Sequence, residues 1–214
     1  MFIELEKVSF LLNKEYVLSD INVDIKENLC YGFTGRNGSG KTMLLRAAAG
    51  FIDTEGTVRY NGRIRKKGEF ISNTGIIIGE TDFIPFFSGY ENLKALSQIS
   101  GKADEKRIYE VLELTGLKDA ANKKYRKYSL GMKQRLRIAQ AILESPDTLI
   151  LDEPFNGLDK TGCQDITQIL TDMKKQGTTI LITSHNQNDI DTLCDIVYEM
   201  DNGKITKEVI YNDI

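Results

Sequence analysis

Eight consecutive residues, Gly35-Arg36-Asn37-Gly38-Ser39-Gly40-Lys41-Thr42, hold the densest potential chemistry in this sequence. Their spacing is G-x-x-x-x-G-K-T, with the apolar run Cys30 to Phe33 before them and a helical pattern from Lys41 to Gly50 after them. Glycines let successive backbone N–H groups converge without side-chain clash, which makes a concave anion site. A helix starting at that point adds the partial positive charge of its N-terminus. Lys41 is then placed to bridge the outer phosphates of a nucleotide, and the Thr42 hydroxyl to ligate Mg²⁺. In this strand-turn-helix context a Gly-rich turn matching by chance is the weaker reading.

A phosphate-bound metal needs a carboxylate from a neighbouring strand end. Thr148-Leu149-Ile150-Leu151 reads as that strand, and Asp152-Glu153 follow it directly. Asp152 is expected to hold Mg²⁺, directly or through water. Glu153 is expected to orient and deprotonate an attacking water. The bland alternative is a solvated acidic turn. The single histidine of the chain, His185, follows another strand, Thr178 to Thr183. Isolated histidines are usually structural, and only its place in the order of motifs gives it a catalytic reading.

The elements that must position these residues alternate. Val17-Leu18, Ile21, Val23 and Ile25 read as a half-buried strand, and Gly56 to Gly62 as a strand closed by an Asn-Gly turn. Ile76-Ile77-Ile78 suggests a strand buried on both faces. The middle third is helical: Ile108, Val111, Leu112 and Leu114 share one helix that Gly116 stops. Met132, Leu136, Ala139 and Leu143 form the stripe of a second, running to Ser145-Pro146. Cys163, Ile166, Leu170 and Met173 predict another helix. Ile196 to Met200 and Lys204 to Val209 predict a hairpin across Asp201-Asn202-Gly203. Strands alternating with helices imply a mostly parallel α/β sheet, with the helical middle inserted between its strands.

Composition bounds the rest. Of 214 residues, 41% are apolar and 28% charged, which excludes a predominantly disordered chain. A net charge of −3 gives no basic surplus, so no nucleic-acid partner is expected. The one basic run, Lys123-Lys124-Tyr125-Arg126-Lys127, reads as a solvated helix end. No apolar run approaches the ~18 residues of a membrane span, and Met1 to Glu6 do not open a signal peptide, so a cytoplasmic protein is expected. Cys30, Cys163 and Cys194 match no disulfide or zinc spacing and are expected to be reduced and mostly buried.

Two further segments select a family. Tyr128-Ser129-Leu130-Gly131-Met132-Lys133-Gln134-Arg135 resembles the ABC signature, L-S-G-G-Q followed by a Q-R pair. Asp152 to Asp159, Asp-Glu-Pro-Phe-Asn-Gly-Leu-Asp, resembles the Walker B and D-loop stretch, and Thr183-Ser184-His185 resembles the H-loop. In that order they cover essentially the whole chain. It is similar to the ATP-binding subunit of an ABC transporter, especially those serving bacteriocin and lantibiotic exporters.

The resemblance implies an ABC-type P-loop NTPase over residues 1–214: a mostly parallel core sheet, an N-terminal antiparallel β subdomain, and a helical insertion near 84–145. It implies an ATPase using ATP and Mg²⁺, forming a homodimer or heterodimer and driving a separate membrane permease from the cytoplasmic face of the membrane. Peptide or antibiotic-like compounds would be exported. ATP would lie between the Lys41 loop of one chain and Ser129 and Gly131 of the other. Asp159 would couple the two sites, and His185 would hold the γ-phosphate and the water. Glu80 stands where the family carries the Q-loop glutamine, as a ligand of Mg²⁺ or water. Leu130 and Met132 replace the first Gly and the Gln of the signature. The adenine-stacking position falls near Leu12, with Phe10 and Tyr16 close by. Phe83 to Tyr90 reads equally as core packing or as a groove for a permease helix. Two other functions stay open: a soluble ABC ATPase acting in assembly or on ribosomes or DNA, and an inactive regulatory subunit, which the intact Lys41, Asp152, Glu153 and His185 disfavour.

Overall fold

The computed structural model describes residues 3–79, 82–185 and 187–211, the side chains of Gln187 and Asn188 aside. The chain runs β1 (Ile3–Leu12), β2 (Glu15–Ile25), β3 (Cys30–Thr34), α1 (Lys41–Ala49), β4 (Glu55–Tyr60), β5 (Arg63–Ile64) and β6 (Thr74–Ile77). It continues through α2 (Gly89–Ser100), α3 (Glu105–Leu114), α4 (Leu130–Ile142), β7 (Thr148–Asp152), α5 (Lys160–Lys175), β8 (Thr179–Thr183), α6 (Gln187–Leu193), β9 (Ile196–Asp201) and β10 (Lys204–Ile210).

Short turns join the antiparallel strands. Asn13-Lys14, Asn61-Gly62 and Asn202-Gly203 each place two successive residues at positive φ, the backbone that matches the twist of a two-residue hairpin. The first sheet is antiparallel, in order β2-β1-β4-β5. The second has six strands in order β10-β9-β3-β8-β7-β6, in which β9, β3, β8, β7 and β6 are mutually parallel and β10 closes the edge antiparallel.

Alternation along the central strands explains the layering. Ile150 and Leu181 face a core shared with α1 and the antiparallel sheet, while Leu149, Leu151, Ile180 and Ile182 face the core built with the helices. Both faces of the six-stranded sheet are therefore covered, which is why its strands read as continuous apolar runs. Helices α2 to α4 enter between β6 and β7. Their starts are fixed locally. Ser88 and Glu91 form a reciprocal capping box on α2. Ser129 caps α4 and Asp159 caps α5, each accepting a backbone N–H three residues on.

Three expectations change. Ile76-Ile77-Ile78 is not buried on both faces: β6 is the outermost strand, so Gly75 and Ile77 are buried while Thr74 and Ile76 are half-buried. Gly75 is needed there because a Cβ would collide with the Ala141 carbonyl of α4. The basic run is not a helix end but a loop and a single 3₁₀ turn around buried Tyr125. Lys124 pairs with Glu91 at 2.9 Å and Arg126 lies over the Phe86 ring. The stretch from Phe83 divides: Phe83 is buried edge-on to Tyr125, whereas Ile84, Phe86 and Phe87 are exposed. The cysteines conform: Cys30 and Cys194 are buried, and Cys163 is half-buried.

Candidate active site

The parallel strands β3, β7 and β8 end on one edge, where ligands of open α/β sheets gather. Past Thr34 the chain turns through residues 35–40 into α1. Gly40 stands at φ +104°, and a Cβ there would lie 2.8 Å from the Val17 carbonyl oxygen, so glycine alone lets the loop close against β2. Lys41 is buried at 7% exposure, and its Nζ donates to the carbonyls of Gly35 at 2.8 Å and Arg36 at 3.1 Å. Among the described residues no carboxylate is paired with it. The Ser39 hydroxyl is enclosed in the same loop without a hydrogen-bond partner. A buried ammonium held only by neutral carbonyls, beside an orphaned hydroxyl, fits an incoming phosphate, which satisfies both.

The acids are set by strand register. Asp152 on β7 pairs with Thr183 on β8. The Thr183 hydroxyl donates to Asp152 Oδ1 at 2.7 Å, and Thr42 donates to Asp152 Oδ2 at 2.8 Å. The Glu153 N–H donates in turn to the Thr183 oxygen at 2.9 Å. His185 Nδ1 and Glu153 Oε2 share a hydrogen bond of 2.8 Å. A groove of about 330 Å³ joins Asn37, Lys41, Thr42, Asp152 and Glu153. Among the described residues no group of three or more His, Cys, Asp or Glu could hold a metal. Asp152 and the Thr42 hydroxyl bonded to it are a donor set that suits Mg²⁺, which keeps waters and takes substrate phosphates as its other ligands.

Ser129, Gly131 and Asp159 are not part of that groove. Ser129 is exposed at the start of α4 and accepts the Met132 N–H at 3.3 Å, and Asp159 accepts the Gly162 N–H at 2.8 Å. Leu12 and Tyr16 lie exposed near the tip of the β1–β2 hairpin, and Phe10 is half-buried below them. Glu80 lies outside the described residues.

The sequence reading gave Thr183 no task, yet this buried hydroxyl joins the side chain of Asp152 to the backbone of Glu153. Its signal is a β-branched hydroxyl that ends the aliphatic run Ile180–Ile182. Gln134, in the sequence only a member of the signature's Q-R pair, is buried on α4 and donates to the Pro154 carbonyl at 2.8 Å.

A family model described as "ABC transporter" matches residues 18–156, well over half of the chain. The chain belongs to the ABC transporter family. This ABC chain is an ATP-binding ATPase subunit, as the motifs implied. It is 43% identical over 213 residues to an ABC transporter ATP-binding protein of Bacillus subtilis (strain 168), spanning 98% of each. It is 37% identical over 219 residues to the bacitracin transport ATP-binding protein of Enterococcus faecalis, spanning 99% of this chain and 70% of that one. A solved ATP-binding cassette, described as a dimer in a post-hydrolysis state bound to ADP and Pi, shares the fold with a TM-score of 0.88. It is 22% identical, and the match covers 99% of this ABC chain and all of that one.

Proposed function

We propose that this chain is one half of an ATP-driven motor for a separate membrane permease that exports peptide or antibiotic-like compounds. The observation that carries the catalytic part is the hydrogen-bonded path Thr42–Asp152–Thr183–Glu153–His185, beside the Lys41 ammonium held by the carbonyls of Gly35 and Arg36. In this reading ATP's outer phosphates displace the carbonyls that hold Lys41, and the loop N–H groups and Ser39 hydroxyl close on them. Thr42 and Asp152 hold Mg²⁺, which when bound neutralises phosphate charge. Glu153 accepts a proton from the attacking water, and His185 leaves its pairing with Glu153 to hold the γ-phosphate. ADP and phosphate are the products.

Each site needs a second chain. Ser129 and Gly131 sit at a helix N-terminus outside the groove of their own chain, as expected of groups that serve a nucleotide held by a partner. The partner is either a second copy or a related subunit, and Asp159 couples the two sites across their interface. Exposed Ile84, Phe86 and Phe87 offer an apolar surface for a permease segment. Among the described residues no helix is long and apolar enough to cross a membrane. A peripheral position on the cytoplasmic face, docked on a permease, follows from this reading. The bacitracin transport relative supports peptide-like cargo and favours transport over a soluble assembly role. Leu12 and Tyr16 are the residues we place against adenine.

The test uses a hydrolysis-blocked Glu153→Gln background, in which ATP should convert monomer to dimer. Adding Ser129→Arg places a long cation where the partner's γ-phosphate docks and should abolish that conversion without altering the fold. Light scattering showing the same ATP-dependent mass with and without Ser129→Arg would remove Ser129 from the interface.

A further inference from the structure

The first turns of α4 sit directly on the loop that follows Glu153. Gln134 binds the Pro154 carbonyl, and one turn earlier Leu130 lies over Gly157. A Cβ at Gly157 would stand 2.6 Å from Leu130 Cγ and 2.8 Å from its Cδ2. Gly131 is close as well: a Cβ there would stand 3.1 Å from the Gly157 carbonyl oxygen. Leu130 and Gln134 are four residues apart and so share one helix face. Arg135 extends the seam to Asp165 of α5 at 2.8 Å. Leu130 thus fills, in the position where the ABC signature carries glycine, a space that only a glycine at 157 leaves open.

We propose that Leu130 is a positioning residue that fastens the loop Pro154–Leu158 to the signature turn. The acid of one ATP site and the Ser129–Gly131 surface offered to the other site then move as one body. The inference rests on the reading above, in which Ser129 and Gly131 face a partner's nucleotide. Two side chains of α4 hold the loop, Gln134 by its hydrogen bond and Leu130 by its contact over Gly157. The Glu153 peptide at its start is held by Thr183. Held at both ends, the loop follows the helix when the helix is drawn toward a partner's ATP, so the displacement reaches Glu153. With glycine at 130 the contact over Gly157 is lost, and the Gly157 end of the loop is held less tightly than the end that Gln134 and buried Phe155 fix.

Four variants, Leu130→Gly, Leu130→Met, Gly157→Ala and the double Leu130→Gly/Gly157→Ala, are compared with the parent by steady-state ATP hydrolysis and thermal melting. Leu130→Gly should lower kcat about tenfold, with KM for ATP within about twofold, because misplacing a catalytic group costs rate rather than ground-state binding. Its melting temperature should stay close to the parent's, since Leu130 is 69% exposed. Leu130→Met, which refills the same space, should restore the rate. Gly157→Ala should also slow hydrolysis, through backbone strain at φ +79° and through collision with Leu130. Removing Leu130 relieves the collision, so the double variant should be faster than the product of the two single effects predicts. Parental kcat in Leu130→Gly, or strictly multiplicative losses in the double variant, would overturn the inference. ATP-driven dimerisation of Glu153→Gln tests the underlying reading separately. If that dimer does not form, the reading fails and the inference with it; if it forms while Leu130→Gly hydrolyses at the parental rate, the role of Leu130 alone fails.

Discussion

Glu153→Gln is expected to cut ATP turnover by ~10²–10⁴, the usual worth of a positioned general base. The substitution preserves size and leaves the backbone bond to Thr183 in place, so Asp152 keeps both of its hydroxyl partners. Only the proton-accepting oxygen is lost. ATP affinity should be retained, because the carboxamide no longer opposes phosphate charge and Lys41 is untouched. Single-turnover kinetics beside equilibrium binding would separate the two effects. A variant that still hydrolyses near the parental rate would show that another group takes the proton.

Lys41→Ala should lower ATP affinity by about 10²-fold, the value of one charge-assisted contact to phosphate. The fold should survive. Among the described residues Lys41 Nζ binds the carbonyls of Gly35 and Arg36, which can turn to water once the side chain is gone. Burying an ammonium without an opposite charge is costly, so the variant should melt no lower than the parent. Calorimetric titration with ATP, beside a thermal melt, checks both halves. Unchanged affinity would mean that the phosphates bind elsewhere.

Much of this site is readable as text because its parts are local. A phosphate loop is a strand end, a run of glycines and a helix start, and all three lie within a dozen residues. The acid pair and His185 also sit at strand ends, so an apolar run followed by a polar residue marks them. What the text withholds depends on pairing between strands. Thr183 matters because β7 and β8 align it with Asp152, and no feature within its own segment states that register. The same holds for β6: Ile76, Ile77 and the following Ile78 look like an interior strand although topology puts β6 at the edge. Helix α6 is short, and its brief polar run carries little periodic signal before the chain returns to β9. Leu130 reads in the sequence as a replacement of the signature's first glycine; its contact with Gly157 is visible only once the two turns are brought together.

Glu153 occupies a left-handed backbone conformation, φ +51°, at the end of β7. For a residue with a Cβ this costs on the order of 1 kcal/mol, and such costs persist where the surrounding structure enforces them. Here the enforcing groups are Thr183 on one side and the loop turn toward Gly157 on the other. On the catalytic reading of Glu153, durability and work therefore pull in opposite directions at this one residue. Glu153→Gly would relax the backbone and should leave the protein as resistant to urea as the parent, or slightly more so, while ending hydrolysis. Urea resistance and hydrolysis measured on the same variant would then move in opposite directions.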